Sequence, residues 1–98
     1  MLSHRGYIPY VDNPHGYRNI PDWEMAMRIK QKTELPMIFD PSHTGGSVEN
    51  VFRISHEANK HDFDGMIIEV HPNPTVAITD AKQQITWEQL RELTTSLQ

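Results

Sequence analysis

Two short apolar runs, each leading into an acidic residue, constrain the fold of this chain more than any other feature of its sequence. One run lies within residues 36–40 and ends in Asp40, and the other lies within residues 66–71 and has Glu69 after three apolar residues. Short uninterrupted apolar runs between turn-forming residues are typical of strands in a parallel sheet, which is covered on both faces. We therefore predict one buried strand in each range.

Segments with a helical spacing of apolar residues lie between and after these strands. Each begins with a side chain that makes a good N-cap, namely Asp22, Ser47 or Thr86. The predicted helices cover 22–33, 47–61 and 86 to about 97, and the last should turn Trp87, Leu90, Leu93 and Leu97 inward. Because residues 4–6 resemble the end of a further strand, strands and helices alternate along the chain. This alternation predicts an α/β fold with a parallel sheet covered by helices.

The composition limits the size of the fold and the classes of partner. With 98 residues the chain forms one domain at most, which we assign to residues 1–98, and 37% hydrophobic residues with no cysteine give it a thin core. A core this thin suggests that the chain packs against a further part of a larger fold. The net charge is −4 and the nine basic residues are scattered, so we expect no nucleic-acid partner. No apolar run approaches the length of a membrane span, and the cytoplasm is the default compartment.

Polar residues follow the predicted strands at the place where ligands bind in parallel α/β folds. Arg5 follows the first strand, His43 follows the second, Glu69 lies near the end of the third, and Asp80 lies in the next loop. An imidazole and carboxylates are donors that suit Mn, Fe, Co or Zn. The pattern alone leaves simpler interpretations open, with His43 bonded to a neighbouring loop, Asp80 capping a turn and Arg5 in a surface turn. Glu69 is harder to explain in that way, because a carboxylate directly after a buried run has to be paired or coordinated.

Five segments, taken together and in this order, resemble the DAHP synthase family. They are His4-Arg5-Gly6, Tyr17-Arg18-Asn19, Leu35 to His43, Ile68 to Pro74 and Thr79 to Gln84. The segments resemble the small metal-dependent subclass of the family, whose members are often fused to a chorismate mutase domain. The resemblance covers essentially the whole chain. The resemblance implies a TIM (β/α)8 barrel of which this chain supplies about the last three strand-helix units.

The resemblance also implies an activity and the residues that carry it. Members of the family condense phosphoenolpyruvate with erythrose 4-phosphate, the first committed step of the shikimate pathway toward the aromatic amino acids. His43, Glu69 and Asp80 match three ligands of a divalent metal. Arg5 matches an arginine that holds the phosphate of phosphoenolpyruvate, and His43 is also expected beside the enolpyruvate as a catalytic residue.

The sequence departs from the family pattern in ways that predict a fragment without activity of its own. The family's fourth metal ligand is a cysteine on an early strand, and its lysine and further arginines also lie upstream, whereas this chain has no cysteine. After His43 the family commonly reads Gly-Arg-Arg-Asp, but this chain reads Gly46-Ser47-Val48-Glu49. The two absent arginines weaken any phosphate site in this loop.

Two other interpretations stay open. A piece of a barrel exposes strand edges and an inner sheet face, so the chain could instead be a non-catalytic interaction module, a degenerate half-barrel that forms a homo-oligomer. Keto-deoxy-octulosonate phosphate synthase, a sister enzyme, is a minor alternative because its signatures fit residues 40–43 and 69–84 less well.

Overall fold

Three parallel strands form the sheet of this protein. In the computed structural model, which describes residues 1–6, 12–77 and 81–98, they are β1 (Leu2–His4), β2 (Met37–Phe39) and β3 (Gly65–Met66), in the order β1-β2-β3. Ile38 of β2 lies opposite Ser3 on one side and Gly65 on the other, and both strand pairs are parallel. The spatial order follows the chain, as it does when a helix connects each strand to its neighbour. The predicted parallel α/β fold is confirmed.

Among the described residues, four α-helices connect and follow the strands. They are α1 (Trp23–Gln31), α2 (Pro41–Gly45), α3 (Val48–Ala58) and α4 (Trp87–Ser96). The three predicted caps are in place, since the side chains of Asp22, Ser47 and Thr86 each accept a hydrogen bond from a backbone N–H of the first turn. The cap of α4 is a complete capping box, in which the Gln89 side chain bonds back to the Thr86 N–H. None of the helices in the described part of the chain is long and apolar enough to cross a membrane.

Helix α2 was not predicted from the sequence, which suggested a strand over 36–40 followed by a loop. The backbone leaves β2 at Asp40, whose side chain caps α2, and Pro41 occupies the first turn. Proline suits that position because its fixed φ is helical and its missing N–H would have no partner there. The strand therefore ends at Phe39, and five residues of helix separate it from the glycine turn before α3.

The strand predicted over 66–71 is shorter than expected. After β2 the backbone turns into α2, so it offers no extended segment with which the residues after β3 could pair. The backbone N–H of Glu69 donates instead to the Oγ of Ser42, at 2.9 Å. Beyond β3 the parallel pairing continues as a single bridge between Val70 and Ile85.

Two clusters of buried side chains attach the helices to one another and to the sheet. The first joins β2 to α3, with Trp23 and Phe63 packed around it, and the second joins α3 to α4. The fully buried members are Phe39, Ile54 and Ala58 in the first cluster, and Val51, Ile85 and Leu93 in the second. Helix α3 contributes to both clusters and is therefore the centre of the packed layer.

Trp87 does not turn inward with the rest of α4, contrary to the prediction. Leu93 is fully buried and Leu90 and Leu97 pack against its cluster, whereas Trp87 is 61% exposed. Three leucines spaced three and four residues apart form one narrow stripe along a helix. Trp87, in the first turn, falls to the side of that stripe.

One face of the sheet is left uncovered by the described part of the chain. Met37 and Phe39 point into the helix layer and are buried, while Ser3 and Ile67 are exposed and Ile38 is half-buried. Successive side chains of a strand alternate between the two faces, which separates these residues into two sets. The described residues therefore pack against the helix side of the sheet and leave its other face open.

A buried histidine gives the stability of this fold a pH dependence. The ring of His4 lies beside Trp23 and Phe39, and its Nε2 accepts a hydrogen bond from the Asp22 backbone N–H at 3.0 Å. Burial lowers the pKa of His4 from its ordinary value of 6.5 and outweighs the opposite effect of the Asp22 carboxylate. The unfolded chain then binds a proton that the folded chain resists, so the free energy of unfolding falls as the pH drops through about 6.5.

We expect chemical denaturation to give a lower unfolding free energy at a pH of about 5.5 than at about 7.5. Substitution His4→Gln should remove much of this difference, because glutamine accepts hydrogen bonds without titrating. His15→Gln is the matched control, since His15 is exposed. An unchanged pH dependence in His4→Gln would show that another group causes it.

Candidate active site

The polar residues that follow the strands meet at one edge of the sheet. β1 leads into Arg5, β2 leads into Asp40 and then His43 on α2, and β3 leads toward Glu69. His43 lies between two carboxylates, with its Nδ1 2.6 Å from Asp40 Oδ2 and its Nε2 3.0 Å from Glu69 Oε1. The Nε of Arg5 is 3.6 Å from the same Asp40 oxygen. Three of the four predicted site residues, Arg5, His43 and Glu69, therefore belong to one connected group.

The fourth predicted site residue, Asp80, lies outside the described residues, so its role as a metal ligand stays a prediction. The segment that follows it is a single 3-10 turn, Ala81–Gln83, in which Gln83 is buried. Gln83 Oε1 accepts a hydrogen bond from Arg18 Nη1 at 2.7 Å, and the Arg18 backbone N–H donates to the carbonyl of Gly45. The turn that follows Asp80 is thus attached, through one arginine, to the end of helix α2.

The start of α2 orients His43. Asp40 is the N-cap residue, and its Oδ1 accepts the His43 backbone N–H at 3.0 Å while its Oδ2 meets the imidazole ring. From the other direction, the Nδ2 of Asn19 donates to the His43 carbonyl at 2.8 Å. The backbone and the ring of His43 are therefore both held by specific contacts.

Glu69 uses only one of its carboxylate oxygens within the described part of the chain, in the contact with His43. The Oε2 atom is buried and has no hydrogen-bond partner among the described residues. Leaving a buried polar group unsatisfied costs about 1–3 kcal/mol, and more when the group is charged. The sequence indicated that Glu69 must be paired or coordinated, and the contact with His43 satisfies only half of the carboxylate.

Close packing explains the two glycines that follow His43. A Cβ on Gly45 would lie 2.8 Å from the backbone N of Val51, and a Cβ on Gly46 would lie 2.7 Å from the Arg18 Cβ. Gly46 also has a φ of +76°, and its N–H donates to the carbonyl of Ser42, which ends α2. The geometry of this loop accounts for both glycines without a bound phosphate.

Asp40 is the member of the group that sequence reasoning missed as a site residue, because it was taken only as the end of a strand. It is 6% exposed, and its carboxylate touches both Arg5 and His43. The available signal was an aspartate directly before a proline and three residues before a histidine. An N-cap aspartate of a helix lies beside the third residue of the first turn, which here is His43.

The donor atoms of His43 and Glu69 fit a divalent metal. The Nε2 and Oε1 atoms lie 3.0 Å apart, and a carboxylate at the opposite ring nitrogen is the usual partner of a metal-binding histidine. The buried Oε2 of Glu69, to which none of the described residues hydrogen-bonds, also suits a cation. Within residues 1–6, 12–77 and 81–98, no three His, Asp or Glu side chains are grouped to hold a metal together. The described part of the chain therefore offers two donors.

The chain matches a known protein family along nearly its whole length. The model of the DAHP synthetase I family matches residues 2–98. The phospho-2-dehydro-3-deoxyheptonate aldolase of Thermotoga maritima is 38% identical over 76 residues, which cover 78% of this chain and 22% of that protein. The 2-dehydro-3-deoxyphosphooctonate aldolase of Coxiella burnetii is 31% identical over 111 aligned positions, which cover 95% of this chain and 38% of that protein.

Solved structures agree with the sequence comparison. A crystal structure of the T. maritima DAHP synthase matches 99% of this chain with a TM-score of 0.87 at 33% identity, using 28% of its own length. A truncated form of 3-deoxy-D-arabino-heptulosonate 7-phosphate synthase from the same organism matches with a TM-score of 0.86, using 36% of its length. The predicted fold, part of a DAHP synthase barrel, is confirmed, and the chain spans between 22% and 38% of the length of these relatives. By its sequence and its fold, the chain belongs to the DAHP synthetase I family.

Proposed function

We propose that this chain carries the metal-binding and phosphoenolpyruvate-binding edge of a DAHP synthase, which condenses phosphoenolpyruvate with erythrose 4-phosphate. The observation that carries the proposal is the 3.0 Å contact between His43 Nε2 and Glu69 Oε1. The family resemblance matches these two side chains to metal ligands. The contact lies in one group with Arg5, which matches the phosphate-binding arginine.

Each residue has a proposed role that its chemistry supports. Arg5 binds the phosphate of phosphoenolpyruvate, because a guanidinium offers several donors and a permanent positive charge, and its side chain is 57% exposed. His43, Glu69 and Asp80 hold Mn, Fe, Co or Zn, which when bound acts as a Lewis acid that orients and polarises the aldehyde. His43 also lies against the enolpyruvate.

The substrates define the wider setting of the proposal. Both are phosphorylated intermediates of central carbon metabolism, so we place the activity in the cytoplasm, at the entry to aromatic amino acid synthesis. A chorismate mutase domain is the partner domain that the resemblance suggests.

We propose that the 98-residue chain alone does not catalyse the condensation. The chain spans between 22% and 38% of the length of its relatives, and it has no cysteine to serve as the fourth ligand of the family. The lysine and further arginines that bind the two phosphates in the family lie upstream. We expect the purified chain with Mn²⁺ and both substrates to form no product above background, and steady-state turnover would contradict this.

A chimera tests the proposed function. The 98 residues would replace the matching segment of the T. maritima DAHP synthase, with which they share 33% identity and a TM-score of 0.87. We expect the chimera to form the seven-carbon product from phosphoenolpyruvate and erythrose 4-phosphate. The parent enzyme, taken through the same cloning junctions, is the control. A folded chimera that loads metal but turns over neither substrate would contradict the proposal.

The relatives named 2-dehydro-3-deoxyphosphooctonate aldolase suggest a second candidate substrate. Their eight-carbon product requires a five-carbon sugar phosphate in place of erythrose 4-phosphate, since phosphoenolpyruvate supplies three carbons. The C. burnetii relative covers 95% of this chain at 31% identity, so the comparison favours this chemistry enough to test it. Product length, measured by mass spectrometry with both sugar phosphates present, separates the two activities.

The uncovered sheet face favours self-association as a second candidate function. Ile67 is 51% exposed on that face and Leu35 is 51% exposed beside the start of β2. An exposed apolar patch on a sheet face is a typical site of contact with another chain. We expect sedimentation equilibrium to show a homo-oligomer that Ile67→Lys weakens. Ile29, an exposed apolar residue of α1, gives the matched control Ile29→Lys. A stable monomer would contradict this candidate.

The chain alone is expected to bind Mn²⁺ weakly, because it has neither the complete ligand set nor a rigid surrounding. Isothermal titration calorimetry should detect weak binding that His43→Ala abolishes. His15→Ala should have no effect, because His15 is exposed and is not part of the site. Tight binding that survives His43→Ala would place the metal elsewhere.

A further inference from the structure

The buried carboxylate of Asp40 connects two residues of the proposed active site. It is 6% exposed and meets three nitrogen atoms, namely the backbone N–H of His43 (3.0 Å), the His43 Nδ1 (2.6 Å) and the Arg5 Nε (3.6 Å). No other described carboxylate touches both of these side chains. Asp40 thus sets the position of a proposed phosphate-binding group and a proposed metal ligand together.

The contact with Asp40 keeps a proton on one ring nitrogen of His43. A carboxylate only accepts hydrogen bonds, so the 2.6 Å contact requires a proton on Nδ1. The Glu69 carboxylate, 3.0 Å from Nε2, accepts a hydrogen bond from that nitrogen in the same way. With Nδ1 held by Asp40, Nε2 is the nitrogen that can exchange its proton for a cation.

A capping role alone does not explain this geometry. A helix cap uses one carboxylate oxygen, as Asp22 does for α1, where Oδ1 accepts the Met25 N–H at 2.9 Å. Asp40 uses Oδ1 in the same way, and it applies its second oxygen to the imidazole and the guanidinium. The second oxygen therefore has a task beyond ending a strand and starting a helix.

We propose that Asp40 is a positioning residue, which keeps the proton on Nδ1 and fixes the orientation of His43, so that Nε2 faces Glu69 and is the nitrogen that exchanges its proton for a divalent cation. The part that concerns the cation rests on the proposed function. The part that concerns the tautomer rests on the hydrogen bonds of the chain itself.

Asp40→Asn separates the two tasks of the carboxylate. Asparagine caps helices as well as aspartate does. The His43 backbone N–H can only donate, so it donates to the oxygen of the asparagine amide. The amide NH₂ group then faces Nδ1, which must become an acceptor, and the ring keeps a proton on Nε2 alone, where Glu69 accepts it. The same change at the other aspartate cap, Asp22→Asn, is the matched control.

The test is ¹⁵N NMR of the histidine ring nitrogens in the metal-free 98-residue chain, followed by titration with Zn²⁺. We expect a protonated Nδ1 on His43 in the unmodified chain and in Asp22→Asn, and an unprotonated Nδ1 in Asp40→Asn. We expect Zn²⁺ affinity to fall about 10-fold to 100-fold in Asp40→Asn only, the usual effect of removing a residue that orients a metal ligand.

The outcomes distinguish this inference from the proposed function. An unprotonated Nδ1 in the unmodified chain would overturn the inference even if Asp40→Asn failed to fold. A folded Asp40→Asn that keeps the Nδ1 proton would also overturn it. If Nδ1 loses its proton in Asp40→Asn as expected but the unmodified chain binds no Zn²⁺, the positioning by Asp40 stands and the proposed metal site fails.

Discussion

Replacement of Glu69 by glutamine in the chimera is expected to lower turnover by about two to three orders of magnitude, the effect of removing one preorganised electrostatic group from an active site. The substitution keeps the shape of the side chain and removes the charge that faces His43 Nε2 at 3.0 Å. Bound metal should fall in parallel. The measurements are kcat and metal content after gel filtration.

A second glutamate in the chain gives the control for this experiment. The Glu49 side chain is 82% exposed on α3 and forms a surface ion pair with Arg53. Glu49→Gln is expected to keep kcat within about twofold, because exposed ion pairs contribute little. If Glu69→Gln behaved like Glu49→Gln, with full metal content, Glu69 would have no part in the site.

Removal of the Phe39 side chain is expected to unfold the 98-residue chain. Phe39 is fully buried at the centre of the cluster that joins β2 to α3. Truncation of a buried phenylalanine to alanine costs about 3–5 kcal/mol, and small domains have only about 5 kcal/mol or somewhat more in total. Circular dichroism and ¹H-¹⁵N correlation spectra of Phe39→Ala should show loss of the fold.

An exposed apolar residue provides the comparison for Phe39. Leu35 precedes β2 and is 51% exposed. Leu35→Ala should change the free energy of unfolding by no more than about 0.5 kcal/mol, as is usual for surface positions. Equal effects of the two substitutions would mean that the helix layer is not packed on β2 as described.

The sequence was sufficient to predict the elements whose signals are local. Three N-caps, Asp22, Ser47 and Thr86, marked the starts of the three longer helices, because a cap depends on residues only three positions apart. The apolar run before Asp40 marked β2 in the same way. Apolar periodicity failed at Trp87, since burial there depends on which elements lie next to α4.

Tertiary contacts decided what the sequence left open. Strand β3 is short because the backbone after β2 turns into α2 and no longer runs beside it. The hydrogen bond from the Glu69 N–H to Ser42, which replaces strand pairing, joins residues 27 positions apart. No pattern of neighbouring residues indicates such a bond. The length of β3 could therefore not be predicted from its own residues.

The candidate site was predictable in its location but not in its internal contacts. The ends of parallel strands meet at one edge, which was enough to bring Arg5, His43 and Glu69 together. The sequence did not reveal that Asp40 connects Arg5 to His43, because a carboxylate at a strand end has several acceptable partners. The family resemblance supplied the proposed roles of His43 and Arg5, and burial supplied the reason to suspect Glu69.

Anomalous X-ray diffraction from crystals of the chimera loaded with Zn²⁺ tests the proposed metal site most directly. We expect one strong anomalous peak in contact with both His43 Nε2 and Glu69 Oε1, with the His43 Nδ1 still bonded to Asp40. A metal-loaded enzyme whose anomalous peak lies away from these two atoms, with His43 and Glu69 still in direct contact at about 3 Å as in a hydrogen bond, would contradict it.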